Sequence, residues 1–406
     1  MSQPAAPILQ PAVKERPYAW IILLAVYLAS LAAPLNQFKV PPVLELINAK
    51  FNMDLSGGGL FMSVFSIAGC ILAIPAALII QRLGLKMAGL IAVGSVFVGA
   101  LIGSLAETSA VLYVGRVIEG VGMGLIMVMA PAAIALWFPA NRRGAPMALW
   151  ATCVGIGSIS MYNLAPLLAT SYGLKSVWWM GTVVAFVAFI LFAILFRSPR
   201  PEEMLEEPKP DGDTGPAISF KDVMANHRMW MLSLQFLCFN LIVMAFSTFY
   251  PTFLFEVRSF SLSRAASMSS LIMVVSIFAG PLAGYLSDRV WKRSYWILSA
   301  WAIGAILYAF PFSVTGWMIP GLLISMGILT APIVPASFAV IPEVVGGPKL
   351  AGMGMAVMAL GQNVGMLIGP WAFGHSIENF GWMTSCYLLL PFFALAFIAT
   401  WIAKIK

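Results

Sequence analysis

The amino-acid sequence predicts an all-α membrane protein whose twelve transmembrane helices form two similar halves. Hydrophobic residues make up 61% of the 406-residue chain and charged residues only 10%, which is outside the range of ordinary water-soluble domains. A polar stretch near the middle separates six long apolar segments from six more. A short basic turn occurs once in each half, as ALIIQRLGLK from Ala77 and as GYLSDRVWKR from Gly284. The halves are therefore predicted to be copies of one six-helix unit.

Each predicted helix is a run of about 20 apolar residues, long enough to cross a hydrocarbon core of about 30 Å. The runs lie near residues 17–40, 57–80, 87–106, 110–138, 145–170, 176–197, 229–254, 266–287, 294–314, 317–342, 350–375 and 382–403. They divide the chain into a tail (1–16), an N-terminal bundle (17–197), a linker (198–228) and a C-terminal bundle (229–406). The linker is rich in acidic residues, proline and glycine, which is typical of a solvated segment.

The basic residues predict how the chain is oriented. Of 23 lysine and arginine residues, two lie in spans and only four, Lys50, Lys175, Arg258 and Arg264, lie in loops on the side away from the linker. The positive-inside rule therefore places the linker and both chain ends in the cytoplasm. No targeting segment to another membrane is recognised, so we expect the plasma membrane, which in a bacterium is the inner membrane. The net charge of +7 belongs to these loops, so we do not expect nucleic-acid binding. The four cysteines lie in spans without paired spacing, so no metal site is predicted, and no cofactor either.

Two motifs carry a family resemblance. Asp288 and Arg289 stand in a loop that resembles the Gly-x-Leu-x-Asp-Arg signature of the major facilitator superfamily, and the first copy has Gln81 and Arg82 at these places. The fourth span, LYVGRVIEGVGMG from Leu112, is similar to the Arg-x-x-x-Gly signature of that superfamily. The resemblance covers essentially the whole chain. It implies two pseudo-symmetric six-helix bundles around a central site, with a cytoplasmic gate formed by these four loop residues.

Shorter phrases resemble particular branches of the superfamily. GVGMG at 120–124 and MALWAT at 147–152 resemble cyanate and nitroimidazole-type permeases. Gly369, Pro370 and Gly374 in span 11 resemble a Gly-Pro pattern that exchangers carry in span 5. The second likeness supports an alternative in which the chain is a proton-coupled efflux antiporter for drugs and amphiphiles.

Ionisable residues inside spans are costly and are therefore candidates for function. Arg116 lies about two turns from the outer end of span 4, and Glu119 follows one turn later. Either the two side chains neutralise each other and lock the helix, or Glu119 orients Arg116 toward an anion or exchanges a proton. Lys39 ends span 1, one turn after Asn36 and before two prolines that should free backbone carbonyls. Its ammonium either snorkels to the interface or projects with Asn36 into the cavity beside Arg116.

Neutral polar residues complete the predicted binding site, although helix-to-helix hydrogen bonding is an equally good interpretation of them. They are Tyr162 and Asn163 in span 5, Asn240 and Tyr250 in span 7, and Gln362 and Asn363 in span 11.

Together these features predict a monomeric secondary transporter in the lipid bilayer that moves a small anionic or polar organic solute by alternating access. Proton symport through Glu119 is the favoured coupling, with uniport and exchange left open. No nucleophile, metal cluster or phosphate loop suggests an enzyme. If Arg116 binds the charge of the substrate, replacing it by Gln should abolish transport while leaving the protein folded.

Overall fold

The computed structural model describes residues 17–72, 75–139, 142–199, 220–287, 293–345 and 351–403. These ranges form sixteen α helices and one 3-10 turn at Pro41–Val43. The helices are α1 (Pro17–Phe38), α2 (Leu44–Phe51), α3 (Leu55–Ser63), α4 (Phe65–Leu72), α5 (Pro75–Ser104), α6 (Ser109–Trp137), α7 (Gly144–Tyr172), α8 (Lys175–Leu195), α9 (Phe220–Ala225), α10 (His227–Glu256), α11 (Leu262–Ser287), α12 (Arg293–Leu307), α13 (Met318–Thr330), α14 (Ile333–Val345), α15 (Ala351–Tyr387) and α16 (Leu390–Ile402).

The helices account for the twelve predicted spans. Ten segments of the described ranges are long and apolar enough to cross a membrane, and two shorter apolar helices, Ser294–Leu307 and Leu390–Ile402, complete the set. Large apolar side chains also lie on the outer surface, where Trp317 is 84% and Phe278 is 75% exposed. Lipid solvates such groups and water does not, while the helices satisfy their own backbone. The predicted all-α membrane fold is confirmed.

Helices α5 and α15 each contain a glycine that forms the corner between two spans. Gly84 has a φ of 78°, a left-handed conformation that glycine adopts without steric cost, and it turns the chain from span 2 into span 3. Gly381, with a φ of 74°, does the same between spans 11 and 12. The basic turn predicted after span 2 thus has its corner at Gly84.

Helices within each half pack closely. Helix α5 lies along α6 in the first half, and α10 lies along α15 in the second. A side chain at Gly122 of α6 would overlap the Ala92 carbonyl oxygen of α5, so glycine is what permits this approach. Helix α6 also contacts α1 and α4 of the first bundle, and the charged residues described below lie where these helices meet.

The two halves meet along one side of the protein, away from the linker between α8 and α10, which we call the opposite side. Helices α3 and α4 pack against α15, and α7 packs against α11. We call these contacts the seam. Four hydrogen bonds of the described residues join the halves, and we count them with the seam: Ser56 N to Glu378 Oε1 (2.9 Å), Trp371 N to Ser63 Oγ (3.2 Å), Tyr162 Oη of α7 to Ser247 O of α10 (2.6 Å) and Ser267 Oγ to Asn163 Oδ1 (2.8 Å). The bundles are therefore closed on the opposite side.

Candidate functional site

Helix α1 ends at Phe38 because two prolines follow. Pro41 and Pro42 have no N–H, so the carbonyls of Gln37 and Phe38 lose the donors that would stand four residues ahead. Both prolines are buried, and water therefore does not replace the missing donors. This helix end needs donors from another part of the protein.

Arg116 on α6 supplies a donor to the Gln37 carbonyl and another to the carbonyl before it. Its Nη1 lies 2.8 Å from the Asn36 carbonyl oxygen and its Nη2 lies 3.2 Å from that of Gln37. The guanidinium carbon lies 4.7 Å from the ring centre of Phe65 and 5.3 Å from that of Phe61. A cation at a helix C-terminus also interacts favourably with the helix dipole. Arg116 thus caps α1 from a neighbouring span.

Glu119 holds two cations at once. One carboxylate oxygen lies 2.8 Å from Nη1 of Arg116, and the other lies 2.7 Å from Nζ of Lys39. Nζ of Lys39 also donates to Oδ1 of Asn36 at 2.8 Å and lies 5.2 Å from the ring centre of Trp178. We call Asn36, Lys39, Arg116 and Glu119 the buried charge cluster, since none of the four side chains is more than 1% exposed.

The cluster has an unbalanced charge. Lys39 and Arg116 stand against the single carboxylate of Glu119, which leaves a formal charge of +1 inside the first bundle. The C-terminus of α1 offsets about half a charge through its dipole. The remaining positive charge produces a positive electrostatic potential, which is weakly screened because the surroundings are apolar.

The predicted orientation of these residues is wrong in this conformation. The four side chains do come together, but Arg116, Lys39 and Asn36 are enclosed by the first bundle and do not project into a cavity between the halves. The alternative in which Lys39 snorkels to the interface is also wrong, because its ammonium points inward to Glu119. The guanidinium of Arg116 turns toward α1 because carbonyl oxygens at the end of that helix need hydrogen-bond donors. A direct role in substrate binding therefore stays a prediction.

Glu119 is a poor proton carrier in this geometry. Both of its oxygens accept charged hydrogen bonds, and a proton would leave two buried cations without a full counter-charge. A role of Glu119 in proton coupling stays a prediction.

The neutral polar candidates separate into three groups. Tyr162 and Asn163 belong to the seam. Tyr250 is fully buried among aromatic rings of the second bundle, 3.4 Å from the Pro311 carbonyl oxygen, and its place in the binding site stays a prediction. The third group, Asn240, Gln362 and Asn363, lies near the middle of α10 and α15, where Asn240 and Asn363 donate to carbonyls of their own helices.

The gate candidates are only partly described. Gln81 and Arg82 are exposed and lie just before the turn at Gly84, on the linker side. Asp288 and Arg289 fall outside the described residues. The gate remains a prediction.

Sequence reasoning missed the seam residues of the second half. Glu378 of α15 accepts a hydrogen bond from Ser56 in the first turn of α3, where a carboxylate also complements the helix dipole. Ser247 and Ser267 were missed as well. Their partners lie about 85 to 322 positions away along the chain, and no local pattern marks such pairs.

Replacing Tyr162 by Phe should weaken the closed state of the opposite side. The change removes the 2.6 Å hydrogen bond to the Ser247 carbonyl oxygen and little else. We expect a loss of about 1 kcal/mol, or about fivefold in the ratio of closed to open molecules. Distance measurements between spin labels on the two bundles would detect the shift. An unchanged ratio would show that this contact does not stabilise closure.

Comparison with known proteins agrees with this architecture. The family model of the Major Facilitator Superfamily matches residues 26–345 and 265–405. A probable sulfoacetate transporter of Cupriavidus necator is 22% identical over 367 residues, covering 86% of this chain and 85% of that protein. The hexuronate transporter of Bacillus subtilis is 21% identical over 387 residues, covering 91% and 90%.

A solved structure shares the fold. It is that of a bacterial homologue of the human lysosomal transporter Spinster in an inward-facing, unoccupied conformation, with a TM-score of 0.83 and 17% sequence identity over 96% of this chain and 98% of that one. The family match extends over nearly the whole sequence. The chain therefore belongs to the Major Facilitator Superfamily and is a membrane transporter rather than an enzyme.

Proposed function

We propose that this transporter carries a small organic anion by alternating access, with the linker side of the protein facing the cytoplasm. The observation that supports the anion is the formal charge of +1 in the buried charge cluster. After the offset by the α1 dipole about half a unit charge remains, and at an effective dielectric constant near 20 it attracts a monoanion about 10 Å away by about 1 kcal/mol. A cation would be repelled by a similar amount.

The second bundle does not cancel this potential. Among its described residues, the ionisable side chains of the spans lie in the outer turns, and none occupies the middle. The middle of α10 and α15 carries neutral amides instead, on Asn240, Gln362 and Asn363. Amides can orient a carboxylate or sulfonate through N–H groups without adding charge. We place the bound anion between these helices and the first bundle.

The relatives favour the same class of solute. Sulfoacetate and hexuronate are both small organic anions, and the two transporters named for them match this chain over most of its length. The sequence identity is low, so the shared chemistry of the solute carries to this chain and the particular compound does not.

The efflux alternative has less support. Its main sequence feature was the Gly-Pro run in span 11, and this run serves close packing at the seam, where Gly374 meets the Leu55 carbonyl oxygen and Pro370 meets Gly59. A positive potential also disfavours cationic amphiphiles.

A thermal-shift screen of purified protein tests the proposed solute. Small sulfonates and carboxylates should raise the unfolding temperature, because a ligand at 100 times its Kd stabilises the folded state by about 2.7 kcal/mol. Cationic amphiphiles and neutral sugars should not. Stabilisation by cations alone would contradict the proposal.

Replacing Lys39 by Met should weaken anion binding while keeping the Arg116–Glu119 pair. The change removes one unit of positive charge, worth about 1–2 kcal/mol at about 10 Å, so we expect about five- to thirtyfold lower affinity in the same screen. Lys175, which is half exposed on the surface, offers a matched control, and Lys175→Met should bind like the wild type. Equal affinity of both variants would remove the electrostatic basis of the proposal.

A further inference from the structure

Two threonines of α10 are buried without a hydrogen-bond partner. Thr248 is 0% and Thr252 is 2% exposed, and neither hydroxyl group bonds to any described residue. The other buried threonines of the described helices each donate to the carbonyl four positions back: Thr182 to Trp178 (2.9 Å), Thr330 to Met326 (2.8 Å) and Thr400 to Ala396 (2.8 Å). The two hydroxyl groups of α10 do not use the acceptors that their own helix offers.

Both threonines lie on the side of α10 that faces away from the second bundle. The rings of Phe246 and Tyr250 pack against Phe312 inside that bundle. Two positions along an α helix turn a side chain by about 200°. Thr248 and Thr252 follow these two aromatic residues by two positions each, so they lie roughly opposite to the packed rings.

The first half of the protein covers this side of α10. Helix α10 contacts the 3-10 turn Pro41–Val43 and the helices α2 and α3. The Ser247 carbonyl, next to Thr248, accepts the hydrogen bond from Tyr162 of α7. The two hydroxyl groups are therefore buried when the halves close on the opposite side.

Burying these hydroxyl groups opposes closure. A hydroxyl group in water has hydrogen-bond partners, and one that is buried without a partner loses them. When the halves separate on the opposite side, water reaches the face of α10 that carries Thr248 and Thr252. Each of the two hydroxyl groups thus lowers the ratio of closed to open molecules by about fivefold or more.

We propose that Thr248 and Thr252 keep the closure of the opposite side reversible. The seam hydrogen bonds and the close helix packing favour the closed state, and the two partnerless hydroxyl groups favour the open one. A transporter must pass through both states in every cycle, so neither can be much more stable than the other. This device goes beyond the anion transport proposed above and does not depend on which solute is carried.

Modification of a cysteine measures how often this side opens. Thr252→Cys places a thiol on the face of α10 that the first half covers. Cys70 would be replaced by Ser, and the three other cysteines are buried. A charged thiol reagent reaches position 252 only in molecules whose halves have separated. If closing is faster than modification, the rate follows the fraction of open molecules. We expect Thr252→Cys to react in the folded, purified protein.

Thr248→Val, added to Thr252→Cys, should slow this reaction by about fivefold or more. Valine has nearly the shape of threonine and no hydroxyl group, so it removes the cost of closure. The reciprocal pair, Thr248→Cys with Thr252→Val, should behave in the same way. Thr182→Val is the matched control, because the Thr182 hydroxyl has its partner inside the first bundle, and the rate should stay that of Thr252→Cys alone.

Two results would overturn the proposal. One is a Thr252→Cys protein that does not react until it unfolds. The other is a valine variant that raises the unfolding temperature without slowing the modification, because its hydroxyl group would then be buried in both states. No solute is present, so neither result bears on the thermal-shift screen.

Discussion

Glu119→Gln should lower the free energy of unfolding by about 3–5 kcal/mol, because it leaves buried cations without their counter-charge. The carboxylate of Glu119 lies within 2.8 Å of both Arg116 and Lys39, and no water reaches the three groups. A glutamine keeps the shape but brings one oxygen acceptor and an amide donor that faces a cation. Thermal or denaturant unfolding of the purified protein in detergent would measure the loss.

An exposed pair provides the control for this variant. Glu107 and Lys175 form a 2.5 Å ion pair on the surface, with side chains 73% and 50% exposed. Lys175 holds the pKa of Glu107 below its ordinary value through a hydrogen bond and its charge. Water and salt screen this pair, so Glu107→Gln should unfold at the wild-type temperature. If Glu119→Gln unfolded there too, the buried charge cluster would not stabilise the bundle.

Gly59→Ala should reduce transport by about tenfold or more while leaving the fold intact. Gly59 of α3 faces α15 across the seam, and an added Cβ atom would overlap the carbonyl oxygen of Pro370, which is backbone and cannot swing away. The interior of either bundle is not affected. The clash therefore opposes closure on the opposite side, and each 1.4 kcal/mol of strain shifts the closed-to-open ratio about tenfold. Uptake into proteoliposomes, together with label distances, would show both effects.

Gly280 serves as the matched control. A Cβ atom at Gly280 of α11 would meet nothing within 4 Å, so Gly280→Ala should transport normally. A Gly59→Ala protein that transports like Gly280→Ala would mean that close contact at the seam is not needed in the transport cycle.

Most of the fold could be predicted because it rests on local properties. Runs of apolar residues mark the spans, and the repeated basic turn marks the two halves. The turn at Gly381, with a φ of 74°, lies in the predicted gap between the spans near 350–375 and 382–403. The seam could not be predicted, because it depends on contacts between residues that lie up to several hundred positions apart in the chain.

The proximity of Asn36, Lys39, Arg116 and Glu119 was predicted, and the direction in which these side chains point was not. Arg116 and Glu119 pair because they stand one turn apart on α6. The prolines at 41 and 42 predicted that backbone carbonyls at the end of span 1 would lack donors. Asking which donor side chain of another span could reach these carbonyls would have predicted that Arg116 caps α1. For Tyr250, its place in span 7 does not show which face of α10 the side chain occupies, and in the structure its ring packs against Phe246.

The capping role also changes what is expected of Arg116. If the guanidinium only bound substrate, Arg116→Gln would abolish transport in a stable protein. Since it joins α1 to α6 through two carbonyls and Glu119, we expect Arg116→Gln to lose stability as Glu119→Gln does.

Uptake of a small sulfonate or carboxylate into proteoliposomes is the most direct measurement. With wild-type protein we expect saturable uptake that competing organic anions inhibit and cationic amphiphiles do not, and Gly59→Ala should bring it close to the rate of protein-free liposomes. Uptake of the anions at the protein-free rate by the wild type, or preferential transport of cations, would contradict organic anion transport by this chain.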